Sequence, residues 1–335
     1  MNDLQTRIKV DFAGKRIVII GDLVADQFLN GTISRVSREA PVFILRHDQT
    51  VTLPGAAANA AANVASLGGT PILIGVGGGD GNGRLLLEKL QEMGVPTANV
   101  LIDNSASTTT KVRVLAGQHY AARQQVIRID YENASSVSDA SKEILLSNLA
   151  DAALLADAIV VSDYNCGAVF PEIYDAAREI ARKKDLPLIV DSRYRLADHT
   201  GATTATPNRE EVEQLLGENF TPEDCSNLRD RLGYEALLIT NGNEGMLLVE
   251  KGKSPVRFDA VGPREPVDVT GAGDTVIAAY ALGLASGLSF DQAARIANHA
   301  GGIVVMKKGT SVVNPDELHD SLGSEDNSQT STHAN

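Results

Sequence analysis

The sequence predicts an α/β protein in which a central, mostly parallel β-sheet lies between two layers of helices, with a small second sheet beside it. Three observations carry this expectation. Short apolar runs recur and each closes on a polar residue: "RIVIIGD" at Asp22, "AIVVSDY" at Asp163, "PLIVDSR" at Asp191 and "ALLITNG" at Asn241. Helical patterns such as "PEIYDAAREIARKKD" stand between them, the alternation expected of parallel strands buried on both faces and their crossover helices. Residues 28–50 and 108–130 instead alternate apolar with polar, as in "TTKVRVL" and "QQVIRID", the mark of half-exposed antiparallel strands.

In chain order, "MNDLQTRIKVDFAGKR" has no apolar core of signal-peptide length, and no later run reaches the ~18 apolar residues of a membrane span. A cytoplasmic protein is expected. The strand "RIVIIGD" follows, then the first half of the small sheet. The glycine-rich "GVGGGDGNGR" at 75–84 contains no exact G-x-G-x-x-G, so a Rossmann dinucleotide site is not supported. After the second half of the small sheet come the remaining apolar strands. Open α/β sheets bind ligands beyond the carboxyl ends of their strands, so Asp22, Asp163, Asp191 and Asn241 would face one crevice. Any one of them could instead start a turn or cap a helix; four in succession favour the crevice.

Further on, "DVTGAGDTV" at 268–276 leads into "DTVIAAYALGLASG", where Val276, Ile277, Tyr280, Ala281 and Leu284 share a helical face and Gly287 is placed to end the helix. The last stretch, "GSEDNSQTSTHAN", is small and polar with nothing to bury and reads as a disordered tail over 323–335, leaving 1–322 as one domain.

Composition narrows the function. With 43% hydrophobic and 22% charged residues the 335-residue chain is an ordinary globular protein, and its formal charge of −13 argues against nucleic acid or an anionic membrane as partner. An anionic small ligand would need a locally basic pocket. The two cysteines, Cys166 and Cys225, sit in no metal-binding or disulfide spacing and read as reduced spectators.

The stretch at 268–276 offers a specific chemistry. A helix N-terminus presents unpaired N–H groups and the positive end of a dipole, and glycines allow a ligand close to that backbone. Residues Gly271, Ala272 and Gly273 thus form a plausible anion cradle. A carboxylate beside it would repel a phosphate unless it takes a proton from an attacking nucleophile, which makes Asp274 a candidate general base. The plainer alternative is that Thr270 or Asp274 caps the helix and the glycines make a tight turn. The chain has no G-x-x-x-x-G-K-[ST] and is no P-loop protein.

Two long motifs in order, "PGAAANAAANVASLGG" followed by "GVGGGDGNG", and "DVTGAGDT", resemble the signatures of the ribokinase-like (PfkB) sugar kinases, and the likeness runs from "IVIIGD" to "KKGTS". The resemblance implies the three-layer αβα fold with a β-sheet lid, ATP as donor, and Asp274 as base with the Gly271, Ala272 and Gly273 amides as the hole for the migrating phosphoryl group. It implies magnesium organised by the N-x-x-E of "TPNREE", Asn208 and Glu211, through water; on the residues alone Glu211 reads as a solvated helix charge. Nucleotide contacts carry over to Thr240, Asn241, Gly242 and Gly245 of "TNGNEG" and to Asn298. A monovalent cation, potassium, would use Asp268, Thr270, Gly309 and Ser311. Sugar contacts carry over to Asp26, Gly55 and Asn59, with Asp163 counted among them, and the lid suggests a homodimer interface.

Within the family, "GTISRVSREAPV", "TKVRVL", "QQVIRID" and "SDYNCGA" resemble the D-glycero-D-manno-heptose 7-phosphate kinases, which make the 1,7-bisphosphate on the way to ADP-heptose. The resemblance implies a phosphorylated sugar substrate and a remote phosphate held by Lys111, Arg113, Arg128 and Arg193. Other acceptors (ribose, fructose, a hexose phosphate) stay open, as does a non-catalytic sensor. Two departures matter: Cys166 stands where these kinases carry a lysine, and Asp191, Ser192 and Arg193 replace D-P-K, so a forked guanidinium stands in for an ammonium. No nucleotidyltransferase domain is expected after "KKGTS".

Overall fold

The computed structural model describes residues 3–118, 123–132 and 137–332. Elements follow in the order α1 (Asp3–Asp11), β1 (Arg16–Gly21), β2 (Leu23–Val36), β3 (Phe43–Ala56), α2 (Ala57–Ser66), β4 (Thr70–Gly78), α3 (Gly81–Glu92), β5 (Val100–Asp103), β6 (Thr110–Gly117) and β7 (Gln124–Tyr131). The second half runs α4 (Asp139–Ala152), β8 (Ala158–Asp163), α5 (Pro171–Lys184), β9 (Leu188–Ser192), β10 (Thr204–Ala205), α6 (Arg209–Leu216), α7 (Pro222–Leu232), β11 (Ala236–Thr240), β12 (Met246–Glu250), β13 (Val256–Phe258), α8 (Ala272–Ala285), α9 (Phe290–Val304) and α10 (Pro315–Thr332). None of the described helices is long and apolar enough to cross a membrane.

Among the described residues the larger sheet has the order β13-β12-β11-β10-β9-β8-β1-β4-β5. It is parallel from β5 to β11 and closes with an antiparallel β11-β12-β13 edge. The reason is visible in β1, which is buried from Ile17 to Gly21. Ile17 and Ile19 enter one core with α2, α8 and α9, while Val18 and Ile20 enter the other with α4, α5 and α7. A strand that feeds two cores must be apolar on both faces. Small residues let the helices of the first core approach: a Cβ on Gly283 of α8 would lie 2.9 Å from that of Ala293 in α9.

Register then aligns the strand ends. Gly21 pairs with Ser162, and Ser162 with Asp191, so Asp22, Asp163 and Asp191 fall on one edge of the sheet.

The small sheet has the order β3-β2-β6-β7. Both hairpins, β2-β3 and β6-β7, are antiparallel as the alternation predicts, but the two middle strands, β2 and β6, run parallel. Strand β2 leaves β1 with only Asp22 between them, which sets its direction, and β6 lies alongside it from Ala25↔Thr110 onward. Residues 119–122 of the predicted lid segment lie outside the described ones.

The segment read as a tail differs from expectation: α10 continues through Thr332, while 333–335 lie outside the described residues. The helix is anchored at its start, where Asn314 Oδ1 accepts the amides of Asp316 and Glu317 and Leu318 and Leu322 are buried. Cys166 is half-buried and Cys225 buried, and both are free thiols.

Candidate active site

Where the sheet edge meets the start of α8, a cavity of about 340 Å³ opens under the lid. It gathers Asp26 from β2, Lys111 and Arg113 from β6, Arg128 from β7, Asp191 and Arg193 from the end of β9, Asn208 and Glu211 at the start of α6, and residues 269–274. A second, more apolar pocket of about 170 Å³ adjoins it, and both touch Thr240, Val269, Ala272 and Gly273. Two ligands seated in these pockets would meet at the helix start.

Helix α8 is not capped by Thr270 or Asp274. Its N-cap is Gly271, at φ 77, with no side-chain cap. A Cβ there would sit 2.5 Å from Asn59 Nδ2, so the position is confined to glycine by both backbone and neighbour. The Ala272 amide is used internally, donating to the Val269 carbonyl at 3.2 Å. Among the described residues the Gly271, Gly273 and Asp274 amides have no protein acceptor, so of the three amides read as an anion hole Ala272 alone is spent within the protein. A Cβ on Gly273 would meet nothing within 4 Å, and both Gly273 and Asp274 line the cavity.

Asp274 is buried, on the first turn of α8. Its Oδ2 accepts from Asn59 Nδ2 at 2.8 Å and its Oδ1 from the Tyr164 hydroxyl at 3.0 Å. Burial pushes its pKa up to about 7 against the pull of those two donors; the charge of Asp26 adds to the rise and that of Lys111 opposes it. A carboxyl poised near neutrality suits proton transfer at physiological pH.

Asn208 and Glu211 form a reciprocal capping box. The Glu211 amide donates to Asn208 Oδ1 at 2.9 Å, and the Asn208 amide and Nδ2 donate to the two oxygens of Glu211, each at 2.8 Å. Glu211 is therefore buried, not the solvated charge its position on a short helix suggested, and burial raises its pKa to about 7. Asp191 is also held well above the carboxylate range, by burial first and then by the charges of Glu211, Asp274 and Asp163. A cation beside Asp191 would relieve the repulsion that its neighbours' charges impose on it. Among the described residues no three His, Cys, Asp or Glu side chains converge as a metal cage. The set fits a magnesium ion that keeps much of its water and arrives on phosphates.

Of the predicted basic residues, Arg113 is tied to Asp26 by an ion pair in which both are nearly buried, and its guanidinium carbon lies 5.4 Å from the Phe28 ring centre. Arg128 pairs with Asp130 at 2.9 Å. Lys111 and Arg193 line the same cavity, and among the described residues neither has a carboxylate within ion-pair distance; each lies against a ring, Tyr164 at 5.6 Å and Tyr194 at 5.8 Å.

The second pocket brings together four of the residues read as nucleotide contacts, Thr240, Gly242, Gly245 and Asn298, with Val276 of α8 and with Val261, Gly301, Gly302 and Val305, which no motif flagged. Asn298 Nδ2 donates to the Asp259 carbonyl at 2.7 Å. Asn241 is not among the lining residues. Asp268 joins two loops, its oxygens accepting the amides of Thr270 at 3.0 Å and Gly309 at 2.9 Å, while the Ser311 hydroxyl donates to the Lys308 carbonyl. Of this predicted cation set, Thr270 alone lines the cavity.

Some predicted contacts fall elsewhere. Asp163 does not face the cavity: Arg195 grips both its oxygens, at 2.7 and 3.1 Å, and the Ser192 hydroxyl and Asn165 amide complete its bonds. The β8-β9 register, which pairs Asp163 with Ser192, brings that partner alongside. Asp22 likewise serves the backbone, accepting the amides of Tyr164, Cys166 and Ala168 at 2.8 to 3.0 Å. Of the four strand-end polar residues, only Asp191 lines the cavity. Gly55 and Asn59 stand behind it: a Cβ on Gly55 would lie 2.5 Å from Asp26 Oδ2, and Asn59 holds Asp274. Tyr164 was missed as a site residue, since only its place beside the strand end "AIVVSDY" could have pointed to it.

A family model described as "pfkB family carbohydrate kinase" matches residues 15–317. The bifunctional protein HldE of Caulobacter vibrioides is 37% identical over 325 residues, covering 95% of this chain and 65% of that protein. HldE of Citrifermentans bemidjiense is 39% identical over 314 residues, covering 92% and 63%. The chain thus spans a little under two thirds of the length of these relatives. Among solved structures, Arabidopsis thaliana ribokinase complexed with ribose and ATP matches with a TM-score of 0.69 at 22% identity, covering 92% of this chain and 99% of that one. Escherichia coli phosphofructokinase-2 in complex with potassium matches at 0.74 and 19% identity, covering 93% and 99%. Likeness at these identities concerns the fold, which is ribokinase-like.

Proposed function

This chain belongs to the pfkB family of carbohydrate kinases, and from that premise we propose that it transfers the γ-phosphoryl group of ATP to the anomeric hydroxyl of D-glycero-D-manno-heptose 7-phosphate, giving the 1,7-bisphosphate. One observation carries the choice of a phosphorylated sugar. In a protein of charge −13, Lys111 and Arg193 line the cavity of the candidate base with no carboxylate within ion-pair distance among the described residues, so an anionic ligand entering it would meet two cations that no salt bridge holds. Because Cys166 is not cationic, the remote phosphate relies on these two.

The chemistry follows from the placement of groups. The sugar hydroxyl gives its proton to Asp274 as its oxygen forms a bond to the γ-phosphorus; the bond from that phosphorus to the bridging oxygen breaks, and ADP leaves. The Gly273 and Asp274 amides face the charge on the transferring group. Asp26, aligned by Arg113, offers a carboxylate to the sugar's other hydroxyls. The apolar second pocket, with Thr240 and Asn298, holds the nucleoside. Magnesium supplied with ATP would draw on Asn208 and Glu211 through water and neutralise phosphate charge. The Asp268 loops would hold potassium beside the anion hole. ATP as donor fits work in the cytoplasm.

The test is a panel of sugars and sugar phosphates incubated with ATP, following ADP. Turnover of heptose 7-phosphate is expected; ribose or fructose reacting while it does not would reject the substrate. The variant carrying both Lys111→Met and Arg193→Met is expected to raise KM for the sugar phosphate by at least about 10-fold, since a hydrogen bond to a charged group contributes ~1.5–3 kcal/mol, with KM for ATP nearly unchanged. An unchanged sugar KM would remove both cations from substrate binding. A sensor with no catalysis is disfavoured by the assembled Asp274, Asn208 and Glu211.

A second copy of this chain is the proposed partner of the lid. Alternation on β7 turns Arg128 to the cavity and leaves Ile127, Ile129 and Tyr131 on the other face, exposed at 54%, 41% and 58%. Sedimentation is expected to show a dimer that dissociates when Ile127 and Ile129 are both replaced by Asp. A parent that is monomeric at tens of micromolar would rule this interface out.

A further inference from the structure

We infer that Tyr164 is a positioning residue for the phosphoryl transfer proposed above, fixing the orientation of the Asp274 carboxylate through its hydroxyl and keeping that carboxylate ready to accept a proton. The inference rests on the reading of Asp274 as base. It begins with how firmly Tyr164 is held. On one side the Asp22 carboxylate takes the Tyr164, Cys166 and Ala168 amides, pinning the loop after β8. On the other, Asp163 is locked by Arg195 and Ser192, which fixes the end of the strand. The loop so pinned delivers one phenol to one target, Asp274 Oδ1 at 3.0 Å.

A carboxylate turns easily about its last torsion, whose energy wells are broad. Asn59 Nδ2 on Oδ2 and Tyr164 on Oδ1 grip both ends and leave the remaining lone pairs for the cavity. Two further features fit a donor role. The phenol stays protonated, because burial first and then the Asp274 charge raise its pKa well above the ordinary value. Lys111 lies against the same ring, so the base, its donor and one of the unpaired cations adjoin one another. Were Tyr164 only packing, a phenylalanine would serve as well.

The expected behaviour of Tyr164→Phe follows. Removing a donor to the ionised form makes protonation of Asp274 easier, so the acid limb of kcat/KM moves to higher pH by about 0.5–1 unit, and kcat falls about 10-fold. KM for ATP and for the sugar phosphate should change less than about 2-fold, since Tyr164 acts through Asp274. The other groups facing Asp274 remain in place: Asn59 from α2, Asp26 from β2, Lys111 from β6, Asp191 from β9 and Glu211 from α6. A difluorotyrosine at 164, a stronger donor of nearly the same shape, should move the limb the opposite way and serves if the phenylalanine variant does not fold.

The experiment combines steady-state kinetics on heptose 7-phosphate with an infrared titration of the carboxyl band that disappears in Asp274→Asn. The titration needs no substrate. A band midpoint that rises in Tyr164→Phe, with the kcat loss, supports the assignment. Parental kcat with an unmoved band, or a raised sugar KM with parental kcat, overturns it. Activity persisting in Asp274→Asn would instead sink the base reading itself, and the infrared shift would still report on the contact.

Discussion

Asp274→Asn is expected to lower kcat by about 10²–10⁴-fold while leaving ATP affinity nearly unchanged. Asparagine keeps the shape of the side chain and can still meet Asn59 and Tyr164, because the phenol oxygen can also accept a hydrogen bond. What it cannot do is take the acceptor's proton. Nucleotide binding should be spared, because the apolar pocket around Thr240, Val261, Asn298 and Val305 does not include residue 274. The parent should also show a pH dependence that the variant lacks. With burial holding Asp274 near 7, kcat/KM falls as pH drops through about 7 and the carboxyl becomes protonated; above it the ionised base is available. Initial rates of ADP formation from pH 5.5 to 9, with calorimetry of a non-hydrolysable ATP analogue, measure both effects. Equal rates in variant and parent would remove Asp274 from the mechanism.

Why was Asp274 legible in the sequence when Tyr164 was not? The first belongs to a local pattern whose physics is set within nine residues: glycines, a helix start and an acid. The second acquires its meaning from a contact with a residue 110 positions away, between a strand end and a helix that only the three-layer fold brings together. The same distinction separates the parallel sheet, read from continuous apolar strands, from the parallel pairing of β2 and β6, which depends on where β1 ends. It also explains Asp163. A strand-end acid can face the crevice or its neighbour's turn, and the choice was made by Ser192 and Arg195 on the next strand's exit. Glu211 misled in the opposite direction, because an acid on the first turn of a short helix ordinarily lies in water. Its burial follows from the packing of α6 against the sheet edge, where Asn208 bridges to Thr240 of β11. The sequence therefore named most of the residues that line the cavity around Asp274, while the contacts that Asn59 and Tyr164 make with its carboxyl depend on the fold.

The two glycines of the cradle provide the second test, through opposite effects on stability. Gly273→Ala should leave the protein as stable as the parent or more so by up to about 1 kcal/mol, because alanine is the better residue inside a helix and its methyl meets no protein atom within 4 Å. The same methyl would be added at a residue that lines the cavity, in space the proposed transfer needs for the γ-phosphoryl group, so kcat should fall about 10²-fold. Gly271→Ala should instead damage both properties. Its backbone lies at φ 77, and its methyl would press on the Asn59 amide that holds Asp274. Thermal melts beside initial rates separate the two. A gain in stability with a loss of turnover at 273 means the fold itself has no need of glycine there, which leaves the incoming phosphoryl group as the reason for it. Full activity in Gly273→Ala would mean that the phosphoryl group does not approach this helix start, and the anion hole would have to be sought on another element.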